Sequence, residues 1–238
     1  KVWDLSNSVM PLQEGYGQPK KGRLCIGIET VIHRDMPEKG MVSEFLHQTK
    51  YATYMVEQWE AVNDKLHPTT SPWVKNHGLS THDAQAAGNH ADEAPSVVQG
   101  LAYLVHTRID ILPAVRYMQR HLSPGRWTRE CDLILERTFR FLKGTLDYGL
   151  TNIFAPEDDS TLALWSDADI GGDRDTRKST AGGILMLHGT KGTRALIGSL
   201  CKLEPALATS SAEAETMAHV MGVKKLLLPC LPLIQDVI

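Results

Sequence analysis

Trp165–Gly189 reads WSDADIGGDRDTRKSTAGGILMLHG, and Ala206–Ala218 reads ALATSSAEAETMA. Thr161–Asp167 (TLALWSD) and Gly182–His188 (GGILMLH) are short runs rich in apolar and β-forming residues. The polar, glycine-bearing stretch between them supplies turn chemistry, so the two read as strands, with Thr193–Leu200 (TRALIGSL) as a third. A helix should follow over TSSAEAETMAHVMGVKKLLL, because Ser210 with Glu213 three residues later forms a capping box. Three strands feeding one long helix make this half of the chain a mixed sheet with a helix laid against it.

Further upstream the pattern changes. Arg23–Val31 (RLCIGIETV) suggests a strand entering a hairpin at HRDMPEKG, and Glu44–Asn63 has amphipathic helical spacing, with Phe45, Tyr51, Met55, Val56 and Trp59 inward. His67–Ala94 is rich in turn formers. Three helices are expected next. The first covers SVVQGLAYLVHT. The second covers ILPAVRYMQRHL, capped by Asp110 with Pro113 in its first turn, and the third is capped by Ser123 with Pro124 at its first position. The third should bury Cys131, Ile134, Leu135, Thr138, Phe139 and Leu142 and stop at Gly144. The fold class is therefore α+β or α/β, with a boundary between helical and strand-rich halves near residues 150–160.

A net charge of −3 over 238 residues excludes a protein that coats nucleic acid by bulk electrostatics. Local exceptions remain. Between Leu101 and Lys143, Arg108, Arg116, Arg120, Arg126, Arg129, Arg137, Arg140 and Lys143 face only four acids, an excess compatible with phosphate contacts and equally with a solvated helix face. No apolar run reaches the roughly 18 residues of a membrane span, and the start lacks a signal-peptide layout, so a non-secreted chain without a membrane partner is expected. Cys25, Cys131, Cys201 and Cys230 are too dispersed for a zinc site or disulfide framework.

Two acids stand where rigid elements would hold them: Asp167 at a strand end, Glu215 one turn inside the capped helix. Hard divalent cations used in phosphodiester hydrolysis need such oxygen ligands, although acids at these positions also serve solubility and the helix dipole.

The motif WSDADIGGDRDTRKSTAGGILMLHG followed by ALATSSAEAETMA resembles the ribonuclease H domain of copia-type LTR-retrotransposon Pol polyproteins, which carry a Ser-Asp-Ala-Asp strand end, a Gly-Asp turn ending in Arg-Arg-Ser-Thr-Ser-Gly, and an SSAEAEYMA helix. IGIE, LHQTKYATYM and TTSP resemble the segment after that family's polymerase palm. SVVQGLAYLVHTRIDILPAVRYMQRHLSPG and LERTFRFLKGTLDYGL resemble its connecting helices.

The resemblance implies a lead-in over residues 1–23, a reverse-transcriptase tail of thumb or connection type over 24–150, and a truncated ribonuclease H-like domain over 158–238. It implies that Asp167 and Glu215 are catalytic metal ligands for two Mg²⁺ ions, with Asp169 and Asp173 at further family positions. Asp236 is a candidate substitute ligand that reads better as a helix-end acid. The implied chemistry is hydrolysis of RNA in RNA–DNA hybrids. The implied partners are that hybrid, contacted through Arg116, Arg120, Arg126, Arg129, Arg137, Arg140 and Lys143, and the rest of Pol. The implied location is a cytoplasmic particle or the nucleus.

Departures accompany the match. Ile170 and Ser199 stand where the family has tryptophan, Ile109 where it has proline and Glu204 where it has glutamine. The family's Tyr-Val-Asp-Asp polymerase motif and its third nuclease aspartate have no counterpart between Lys1 and Ile238. The expectation is a fragment with little or no hydrolytic activity, or a non-catalytic nucleic-acid-binding remnant.

Overall fold

The computed structural model describes residues 23–25, 27–36, 40–73, 80–173 and 176–235. The expected lead-in, apart from Arg23, and Asp236 lie outside the described residues. The chain divides into two compact units: one holds Thr30–Phe45 and the segment from Thr151 onward, the other Cys25–Glu29 and Leu46–Leu150.

The second unit is helical. Its elements are α1 (Thr49–Val62), the short α2 (Thr81–Gln85), α3 (Ala94–Leu104), a 3₁₀ turn (Ile109–Ile111), α4 (Leu112–Arg120) and α5 (Arg129–Gly144). All six expected inward residues of α5 are buried, joined by Phe141, and they meet Val56 and Trp59 of α1 in one apolar cluster. Pro113 does fall in the first turn of α4, where its missing N–H costs nothing.

Three local expectations give way. Met41–His47 is a strand, so α1 starts at Thr49 and Phe45 leaves the helix; every residue of that strand is half-buried, which erases the alternation that would have revealed it. Ser123 and Pro124 form a turn, with the Arg126 N–H on the Ser123 carbonyl at 3.0 Å, and α5 begins only after Thr128. Gly125 sits at φ +75, a left-handed conformation that would end any helix begun at Pro124. Asp110 caps no helix and instead grips Arg108.

The other unit is built on the sheet. Strands β1 (Arg23–Cys25), β2 (Ile28–Met36), β3 (Met41–His47), β4 (Leu150–Phe154), β5 (Ser160–Asp169), β6 (Thr180–Gly189) and β7 (Arg194–Leu203) lie in the order β1-β2-β3-β4-β7-β6-β5. The strand ending in SDAD pairs antiparallel with the one carrying GGILMLH, with Asp167 opposite Gly182 and Leu164 opposite Leu185. β4 (LTNIF) lacks a clean apolar alternation, and its buried central residue, Asn152, is a connector. Its carbonyl oxygen accepts the Leu196 N–H at 3.0 Å, and its amide donates to Glu44 at 3.2 Å.

Helix α6 (Ser211–Gly222) packs on β5 and β6. Ala214, Ala218 and Gly222, four residues apart, form its buried stripe, and their small size lets the backbone come close to the sheet. A Cβ on Gly222 would meet the Leu164 methyls at 3.2 Å. A π-type turn (Val223–Leu227) then carries the helix into α7 (Leu228–Gln235). Pro229 and Pro232 lie within α7, where a proline ordinarily breaks a helix. The π turn resets the hydrogen-bond register just before them, and Leu228, whose carbonyl Pro232 cannot bond, is exposed to water.

Asp158 closes the β6–β7 turn, accepting the N–H groups of Lys191 and Thr193 at 2.9 and 3.0 Å and the Thr190 hydroxyl at 3.4 Å. Desolvation alone would raise its pKa. The backbone bonds from Lys191 and Thr193, with the Thr193 and Thr190 hydroxyls, outweigh it and bring the pKa down to about 2. A carboxylate held below its unfolded value of 3.8 contributes stability that is present above that value and lost as pH falls through about 2. Acid titration followed by circular dichroism should therefore show a loss between these limits that Asp158→Asn removes, leaving a weaker but flatter profile.

Candidate functional site

The acids of the SDAD strand and the SSAEAE helix are positioned by the β5 pleat and the α6 stripe. Two contacts define which face of β5 the helix covers: Leu164 lies against Gly222, and the Ser166 hydroxyl is 3.2 Å from His219 Nδ1. Successive side chains of a strand leave opposite faces. Trp165, Asp167 and Asp169 therefore project from the face turned away from α6, and all three are exposed.

Glu215 is on α6 beside the buried stripe, exposed, accepting the Ser211 hydroxyl at 3.3 Å. Glu215 lies one helical turn before His219, the residue that reaches Ser166 of β5.

Two neighbouring acids have local duties. Asp173 accepts the Thr176 N–H at 3.1 Å and the Thr176 hydroxyl, and its backbone closes the loop with Lys178 and Arg177, so it staples the β5–β6 turn. Glu213 completes a capping device shifted by one residue. Ser210 accepts the Glu213 N–H at 3.2 Å as expected, but the Glu213 carboxylate takes the N–H and hydroxyl of Thr209, each at 2.7 Å. Those two bonds lower the Glu213 pKa against a smaller opposing desolvation.

Among the described residues no group of three or more His, Cys, Asp or Glu side chains could hold a metal ion. A magnesium pair needs several carboxylate oxygens converging on ions roughly 4 Å apart. Asp167 and Glu215 supply at most two such side chains, so the described residues do not fit it.

The basic residues of the helical unit are also dispersed by their partners. Arg116 bonds Gln119 at 2.8 Å, Arg120 lies over the Tyr117 ring, Lys143 bonds Glu60 at 2.5 Å, and the Arg137 Nε is buried. Arg126 is exposed in the turn before α5. Arg129 and Arg140 do come together, lining a groove of about 340 Å³ with Lys65, His67, Trp59 and Asp132. Asp132 is already occupied by the Asn89, His90 and Trp127 N–H groups, at 2.6, 3.2 and 2.6 Å.

Sequence reading missed a heavily bonded side chain in this unit. Arg108, 3% exposed, donates to Asp110 through Nε and Nη2 and to the Thr145 carbonyl and hydroxyl at 2.7 Å each. It also lies over the rings of Phe141 and Tyr148. The only local signal is the i, i+2 Arg–Asp pair in TRID.

Over 182 residues the chain is 32% identical to a retrovirus-related Pol polyprotein from a tobacco (Nicotiana tabacum) transposon, TNT 1-94, covering 73% of this chain and 13% of that one. A second Pol polyprotein, from the Arabidopsis thaliana transposon RE1, is 31% identical over 143 residues, 60% of this chain and 9% of its own length. An uncharacterized mitochondrial protein of Arabidopsis thaliana is 31% identical over 183 residues, 76% of this chain and 70% of that protein.

The chain belongs to the copia-type retrotransposon Pol family.

The Pol-family chain spans about a tenth of the polyproteins it matches. It is also 34% identical over 127 residues to a secreted RxLR effector protein of Plasmopara viticola, covering 81% of that protein. No protein-family model and no solved structure matches it significantly. Among the described residues of this Pol-family chain no helix is long and apolar enough to cross a membrane.

Proposed function

We propose that the chain derives from the reverse transcriptase–ribonuclease H part of Pol, that its ancestral role is cleavage of RNA in RNA–DNA hybrids, and that this chain itself does not hydrolyse them. One observation carries the reading. The two motifs that resemble the nuclease fall on consecutive, mutually packed elements: an antiparallel β5–β6–β7 meander with SDAD ending its first strand, then α6 laid across β5 and β6. Lack of hydrolysis is supported by the absence, among the described residues, of any group of three or more carboxylate, His or Cys side chains that could hold a metal ion.

Incubation of the chain with a labelled RNA–DNA hybrid and Mg²⁺ should give no cleavage above a no-protein control, and Asp167→Asn should change nothing. Magnesium-dependent cutting abolished by Asp167→Asn would overturn the proposal.

A second reading, a binding remnant, rests on the groove holding Arg129, Arg140, Lys65 and His67, whose acids are Asp132, engaged by three N–H groups, Glu136, paired with Arg140 at 3.8 Å, and Asp64. Phosphate contact there would give hybrid or duplex binding that persists in EDTA, falls steeply with salt and weakens in Arg129→Ala. Retention in Arg129→Ala, or the absence of salt dependence, counts against it.

A further inference from the structure

Glu204 follows β7 and is 1% exposed, yet neither of its carboxylate oxygens has a hydrogen-bond partner. Its backbone N–H donates to the Ser179 carbonyl at 2.9 Å, which ties it to the β5–β6 turn. Three elements surround it. From the turn come Ser179, itself 1% exposed with its hydroxyl accepting the Gly171 N–H at 3.3 Å, the stapled Asp173, and Lys178, whose ammonium bonds the Pro205 carbonyl at 2.7 Å. From β6 come Thr180 and Ala181, opposite Leu203 and Lys202, and they add no charge. From the start of α6 comes Glu213, with its carboxylate fixed on Thr209.

An ionised carboxylate sealed from water without donors is costly, and a second fixed anion adds to that cost. Of this pair, Glu213 has the donors and keeps its charge. Glu204 accepts no hydrogen bond and has only the neighbouring Ser179 hydroxyl to set against its burial, so it gives its charge up.

We infer that Glu204 is carried in the fold as the neutral acid, and that its ionisation loosens the seam where β7, the β5–β6 turn and the start of α6 meet, making the sheet unit a proton-responsive fold. Burial is the chief influence on this carboxyl and raises its pKa; the Ser179 hydroxyl opposes the rise and the Glu213 charge reinforces it. A raised folded-state pKa means that the folded chain holds a proton the unfolded chain has released. Stability is therefore complete below the unfolded value of 4.5 and declines as pH climbs from there through the folded value.

The test compares thermal melts of the full chain and Glu204→Gln, whose amide reproduces the neutral acid's shape without its proton. Near pH 5 the two should melt together, and by about pH 8 the variant should melt higher by on the order of 4 °C. A difference that does not grow with pH, or a variant less stable at pH 8, would overturn the inference. If Glu204→Gln does not fold, ¹³C NMR of the glutamate-labelled parent decides. One glutamate Cδ titrating well above the rest is the expected result; all of them titrating in the ordinary carboxylate range is the contrary one.

Discussion

Arg108→Ala should destabilise the helical unit by about 1.5–3 kcal/mol, the worth of hydrogen bonds made by a charged group, through loss of those bonds and of the side chain's packing. The guanidinium is 3% exposed, and all its partners lie within the unit: Asp110 two residues on, and Thr145 just past the end of α5. Removing it takes one of two partners from each of the Thr145 carbonyl and hydroxyl, which keep the Tyr148 N–H and the Phe141 carbonyl, and it frees an anion at Asp110 and opens a gap against Phe141 and Tyr148. Arg108→Lys should also be markedly destabilising, since one ammonium cannot reproduce a fork that bonds a carboxylate and a carbonyl at once. Asp110→Asn should cost less, because Asp110 is 35% exposed and water can take over part of its role. Urea unfolding followed by far-ultraviolet circular dichroism measures all three. An Arg108→Ala midpoint within about 1 kcal/mol of the parent would show that the clamp contributes nothing net.

This clamp explains why Asp110 was legible as an acid at a helix start but not in its actual role. Capping is local, and the spacing alone supports it; the true partner set includes Thr145, thirty-seven positions away, which no local pattern encodes. The same division runs through the fold. The inward face of α5, the end at Gly144, the β5–β6 pairing and the Ser210 cap were all readable because periodicity, glycine and capping chemistry act over a few residues. β3 and β4 were not. β3 is half-covered on both faces, and β4 is organised around a polar connector, Asn152, whose partners lie 44 and 108 residues away.

For the candidate site, the sequence located the elements but not the faces from which their side chains leave. Which way Asp167 points depends on a single register choice, since a shift by one residue inverts a strand's faces. The contacts of Leu164 and Ser166 with α6 fix that choice. Glu204 shows the converse limit: an acid at a strand exit ordinarily reads as exposed, and only the convergence of the β5–β6 turn and α6 upon it makes it a buried one.

The other large effect concerns the stacked pair at the heart of the helical unit. Phe139, 1% exposed on α5, lies against Trp59 of α1, 5% exposed, with ring centroids 4.5 Å apart and planes 15° from parallel. Either residue replaced by alanine should lower stability by about 3–5 kcal/mol through lost burial and the cavity left behind. The two losses should not add. Once one ring is gone the other has no face to stack on, so a double-mutant cycle should return a coupling of roughly 0.5–1.5 kcal/mol for the pair. Trp59 carries a third neighbour, His90, at 5.0 Å, which keeps part of its surface covered when Phe139 is removed. Trp59→Ala is therefore expected to be the more damaging single change, because it uncouples α1 from both α5 and the segment before α3. Equal losses with strict additivity would mean that the rings fill space independently and that the stack itself adds nothing to the joining of α1 and α5.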